Sequence, residues 1–211
     1  MLLVEKQGQE IANSFYVNKL KALQIKRYNY NNLKQRALQN RDIDCSVQLE
    51  ASGIEKFWVD YSEKFRRTDN GDMCIELWSD FEKKKLGWGA ITKAMGGPDA
   101  YIYVTPKYIY EIWKTSGWFD RMVGKIMSEL TPEKISEIIE DNSYPNVSYP
   151  VVVDGHDMTL LKSSTIYKDR SYFGICVCVP WKTIYNNYII DVSLYDRDNN
   201  FKHLSINEIY K

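Results

Sequence analysis

Histidine is nearly missing from this chain, with 2 in 211 residues, and cysteine is sparse, with 4 and no C-x-x-C pair. Those counts leave no ligand set with zinc-site spacing. Cys45, Cys74, Cys176 and Cys178 lie inside apolar, strand-like runs and read as reduced, buried thiols of a cytoplasmic protein. No stretch approaches the ~18 apolar residues of a membrane span, so no membrane partner is expected. The opening "MLLVEKQGQE" is interrupted by Glu5 and Lys6 too early for a signal peptide. Low-complexity tracts and internal repeats are lacking, which excludes solenoids and linkers. Net charge is also lacking: Lys+Arg and Asp+Glu stand at 28 each, so bulk charge does not announce a polyanion.

What is present is a globular composition, 44% hydrophobic and rich in Tyr, of a length that suits one domain or one domain with an appendage. The charge is unevenly spread. Residues 1–41 carry Lys6, Lys19, Lys21, Lys26, Arg27, Lys34, Arg36 and Arg41 against Glu5 and Glu10. Such a basic segment can follow phosphates or can be a solvated helix face. Residues 9–39 show helix-like apolar spacing with a break near 28–32. Residues 42–49 and 54–64 alternate as strands around the turn "ASG", and 73–79 reads as a third strand. A Gly-broken loop leads to a strand pair, 100–106 and 108–113. Two helices follow, the second opened by Thr131, Pro132 and Glu133. Further strand-like runs fill the remainder. The organisation expected is a core over residues 1–113 and a helical connection with a β-rich extension over 114–211, in one domain or two.

The charges in the first two strands need an explanation. Strands favour apolar and β-branched residues, yet Asp42 and Asp44 share one face of the first strand. Asp60, Ser62 and Lys64 share a face of the second, while Glu63 lies with Val59 and Tyr61. Burying carboxylates and a lysine is costly without a purpose. Carboxylates on adjacent strands can bind Mg²⁺, and a lysine beside them can stabilise phosphoryl oxygens.

An Asp followed on the next strand by an acidic residue and a Lys two apart resembles the PD-(D/E)XK pattern of the restriction-endonuclease-like superfamily. The similarity is greater to a branch known from bacterial and phage proteins, with "Q-x-x-G-I-D", then "D-E-K", then "F-E-L". Here these become "QNRDID" (Gln39 to Asp44), "SEK" (Ser62 to Lys64) and "IEL" (Glu76), followed by Gly87-Trp88 and "DAYIYVTPK". The match spans about residues 30–113. The resemblance implies an α/β fold: a mixed central sheet with flanking helices, and here a C-terminal β-rich extension. It implies Mg²⁺- or Mn²⁺-dependent hydrolysis of nucleic acid, DNA first, with Asp44, Glu76 and Glu63 as metal ligands. Lys64 would position water, Gln39 would support the site, and a basic N-terminal helix would hold the backbone. Two positions depart from the pattern. Ser62 stands where Asp or Glu is expected, and Asp42 where Gly is. Glu63 swung round by a β-bulge, Glu76 or Asp60 could supply the missing carboxylate, and Asp42 either restores one or caps the start of the strand; Asp72 is a further candidate for a site role. The alternative expectation is a catalytically degenerate binding module on the same fold, gripping nucleic acid or a protein partner as a phage-type inhibitor does. A third is an assembly protein that uses its Tyr-rich strands.

Overall fold

A computed structural model describes residues 3–29, 32, 35–53, 55–90, 96–139, 147–167, 170–188 and 190–210. The elements run α1 (Leu3–Asn18), β1 (Gln24–Arg27), α2 (Arg36–Gln39), β2 (Cys45–Ala51), β3 (Glu55–Phe65), β4 (Asp72–Asp80), β5 (Lys85–Leu86), β6 (Ala100–Val104) and β7 (Tyr108–Trp113). They continue with α3 (Trp118–Glu129), α4 (Pro132–Ile139), β8 (Val147–Val153), β9 (His156–Tyr167), β10 (Arg170–Pro180), α5 (Trp181–Asn187), β11 (Asp191–Asp196), β12 (Lys202–Leu204) and α6 (Ile206–Ile209). Among the described residues no helix is long and apolar enough to cross a membrane.

The chain is mixed α/β and divides into two units. The first comprises Met1–Asn70, Gly97–Ser116 and Ile190–Lys211; the second comprises Gly71–Gly96 and Gly117–Ile189. The division does not fall at residue 113. The C-terminal strands are shared out, β8–β10 going to the second unit and β11–β12 to the first.

The first unit holds a seven-stranded mixed sheet in the order β1-β2-β3-β6-β7-β11-β12. β3 and β6 pair in parallel, Tyr61 opposite Ala100 and Lys64 opposite Tyr103. The remaining neighbours are antiparallel. Residues of one strand parity form the core beneath α1. Ala12, Phe15 and Tyr16 pack with Cys45, Val47, Val59, Tyr61, Ile102 and Val104. Helical spacing on α1 meets the two-residue period of the strands, and both bury one apolar face.

The helix expected over 9–39 is corrected in two respects. Residues 24–27 form an edge strand against β2, because Ile25 and Arg27 alternate inward. α1 itself carries Lys6 against Glu5 and Glu10, so it is not a basic helix; the excess positive charge comes after it.

The second unit holds an antiparallel sheet, β5-β4-β10-β9-β8, with α3, α4 and α5. α3 buries Trp118, Phe119, Met122, Val123 and Ile126, one apolar face of a helix. α4 starts as its sequence suggests, Thr131 Oγ1 accepting from Lys134 N at 3.3 Å with Pro132 in the first turn. Asp154 and Gly155 form the β8–β9 turn, both at positive φ, and His156 and Asp157 begin β9.

Candidate functional site

Antiparallel pairing of β2 with β3 sets Cys45 opposite Tyr61 and Ser46 opposite Asp60. Just before β2, Asp42 adopts φ +62°, the left-handed region that glycine enters freely and Asp tolerates. The chain then brings Asp42 and Asp44 alongside Ser62 and Lys64. Lys64 Nζ donates to Asp42 Oδ1 at 2.7 Å. Ser62 Oγ lies 2.9 Å from Asp42 Oδ2 and 3.1 Å from Asp44 Oδ2. Asp44 Oδ2 also accepts from the Glu63 backbone N–H at 2.8 Å. The cluster is shielded but open to solvent: the Lys64 and Asp42 side chains are 17% and 15% exposed, and Ser62 is wholly buried beneath them.

Ser62 has one hydroxyl proton for two carboxylate oxygens. It can donate to Asp42 or to Asp44, not to both at once. The oxygen left over faces a lone pair unless positive charge or a proton is added. Burial pushes the Asp42 carboxyl above its usual range, Asp44 adds to this, and the charge and hydrogen bond of Lys64 oppose it. Further along the same face, Tyr28 Oη lies 2.6 Å from Ser46 Oγ, which donates to Asp60 Oδ1 at 2.5 Å. Asp60 thus accepts from the Ser46 hydroxyl.

Glu63 points to the opposite face, as the two-residue period requires. Its side chain is 1% exposed and takes a two-pronged contact from Arg27, Nη2 to Oε1 at 2.9 Å and Nη1 to Oε2 at 3.0 Å. Tyr16 Oη donates to Oε1 at 3.1 Å, and Asn13 Oδ1 holds Arg27 from behind. Burial raises the Glu63 carboxyl and Arg27 draws it back; the forked geometry is that of a charged pair. No bulge swings Glu63 round to Asp44. Glu76 belongs to β4, which pairs with β10 in the other unit's sheet, Glu76 opposite Cys176. Gly87 and Gly174 leave space for its side chain there. Of the expected ligands, Glu63 is thus turned from Asp44 to the other face of the first sheet, and Glu76 is carried by the sheet of the second unit. Among the described residues no group of three or more His, Cys, Asp or Glu is placed to hold a metal. Gln39 ends the four-residue α2, and its side chain lies outside the described residues. Asp72 is on β4 in the second unit.

Lys64 therefore pairs with Asp42, and Ser62 links Asp42 to Asp44. Sequence pattern showed which residues share a face; it did not show that Arg27 would claim Glu63, because that contact spans 36 positions. Trp118 and Trp181 are buried, whereas Trp58 is 44% exposed. Comparison with protein-family models, with curated proteins and with solved structures finds no match.

Proposed function

We propose that this chain is a divalent-metal-dependent nuclease of the PD-(D/E)XK type, acting on the phosphodiester bonds of nucleic acid, DNA first. The observation that carries the reading is the convergence of Asp42, Asp44, Ser62 and Lys64 on one face of the β2–β3 hairpin. Two further points support it. Asp42 replaces the Gly of the family pattern and occupies the positive-φ conformation that explains a Gly there. The sheet that carries the cluster is mixed and flanked by helices.

The donors present suit Mg²⁺ or Mn²⁺: oxygen only, two carboxylates, with one proton between two of their oxygens. Mg²⁺ commonly takes one or two protein carboxylates and keeps several waters. Asp42 and Asp44 would hold the ion, which when bound would acidify water and neutralise charge developing on the phosphate. Asp44 is oriented for this by the Glu63 N–H, which fixes one of its oxygens. Ser62 donates its one proton to one carboxylate or the other and lies between them. Lys64 supplies a compact positive charge at the cluster, suited to a phosphoryl oxygen.

One observation favours the binding module instead. Ser62, at the pattern's carboxylate position, is fully buried, and Lys64 is engaged by Asp42. The deciding assay is cleavage of single-stranded, duplex and branched DNA with Mg²⁺, Mn²⁺ or EDTA. Metal-dependent cutting by the wild type, abolished in Asp44→Asn and in Lys64→Ala, is expected. Folded wild type that binds these substrates and cuts none would establish the module.

A further inference from the structure

β3 and β6 are the parallel pair of the first sheet, so their carboxyl ends lie side by side. In α/β sheets ligands collect beyond the carboxyl ends of parallel strands. At that end there is a groove of about 250 Å³. Ile11 of α1, Phe65 and Val104 give it an apolar lining. Its charged lining is of one sign: Arg66 and Arg67, which continue β3, and Arg197, which follows β11. Among the described residues no carboxylate lines it.

Arg197 is held in place. Its Nη1 donates to the carbonyl oxygens of Thr105 at 2.5 Å and Pro106 at 2.6 Å. A guanidinium has five N–H donors in a rigid fork, so these bonds leave its other edge for a ligand. Arg67 is exposed and forms no ion pair among the described residues. The like charges of Arg67 and Arg197 at one groove repel each other, and an anion relieves that repulsion. The planar forks match phosphate oxygens, and apolar surroundings strengthen such contacts.

We infer that this groove is a phosphate-binding subsite that takes the backbone of a nucleic-acid strand. The carrier of the phosphate, a nucleic acid, rests on the reading above; the anion site rests on the groove. Lys64 and the groove occupy the same end of β3, on opposite faces of the sheet. A strand held by the arginines is therefore held at the sheet end that bears the acidic cluster.

The test is fluorescence anisotropy of a labelled single-stranded oligonucleotide in EDTA, over a salt series. Wild type is compared with Arg66→Gln, Arg67→Gln and Arg197→Gln. Each loss is expected to weaken binding and to reduce the slope of log K against log salt by about 0.7. Arg197→Gln also removes bonds to two carbonyls, so the exposed Arg67→Gln carries the test if Arg197→Gln fails to fold. Wild-type affinity and slope in folded Arg66→Gln and Arg67→Gln would overturn the inference. Inorganic phosphate titrated by calorimetry distinguishes the source: saturation by phosphate with no oligonucleotide binding would overturn the strand assignment. Cleavage is measured in parallel with Mg²⁺. Arginine-dependent binding without cutting sinks the catalytic reading and leaves the groove. Cutting with arginine-independent binding does the reverse.

Discussion

Single side chains decide whether the acidic cluster is stable. Ser62 supplies the one hydroxyl shared by Asp42 and Asp44. Ser62→Ala leaves half-buried carboxylate oxygens without that donor, and a lost buried partner costs about 1–3 kcal/mol. Urea denaturation at neutral pH should show a loss of that size with an unchanged m-value. Glu111 is another buried carboxylate, and among the described residues no cation is one of its hydrogen-bond partners. It accepts from Tyr61 Oη at 2.8 Å and Tyr195 Oη at 3.3 Å. Burial raises its pKa above 4.5, and the two hydroxyls only partly oppose this. The folded state then holds the proton through a window in which the unfolded state has released it. Stability from this group is complete below 4.5 and is lost as pH rises through the folded value. Glu111→Gln should therefore gain on wild type as pH rises from 4 towards 8 in denaturation series. A difference constant across that range would contradict the shift.

The elements depend on close approach. Gly8 lies in α1 where a Cβ would come within 2.3 Å of the Phe65 ring. Replacing an interior helical Gly by Ala ordinarily gains about 1 kcal/mol. Here overpacking opposes it by about 1–3 kcal/mol, so Gly8→Ala should be neutral to destabilising, and it should perturb the arginine groove that Gly8 borders. A clear rise in melting temperature would show that α1 does not sit as closely as described. The β2–β3 hairpin turns through Ser52 and Gly53, both at positive φ. That turn fixes the register placing Ser46 opposite Asp60, and with it the alignment of the cluster. Strand existence, the faces of β3 and the helix start at Thr131 were legible because each depends on local periodicity or capping. β1 was not: four residues following a helix carry too short a pattern, and pairing with β2 decides their state.

For the whole molecule, the interleaved units govern how the chain can be cut. β11 pairs with β7 along its length, and Tyr195 packs on Phe15 with ring centres 4.9 Å apart. β4 takes its long neighbour, β10, from the C-terminal half. A fragment ending at residue 113 lacks both. It is expected to be unfolded by far-UV circular dichroism and by poor amide dispersion in NMR. A cooperatively folded fragment would refute the interleaving.

The sequence by itself determined the α/β composition, most strands, and the sharing of one face by Asp60, Ser62 and Lys64 apart from Glu63. A two-residue period needs no knowledge of partners. Tertiary structure alone decided that β4 and Glu76 belong to a second sheet, since pairing with β10 is made across about a hundred residues. It decided that Glu63 is neutralised by Arg27. It also drew Arg66, Arg67 and Arg197, from two distant segments, around one groove. Local propensity says that a strand forms; the long-range burial of its apolar face, and the partner each charge needs once out of water, say where.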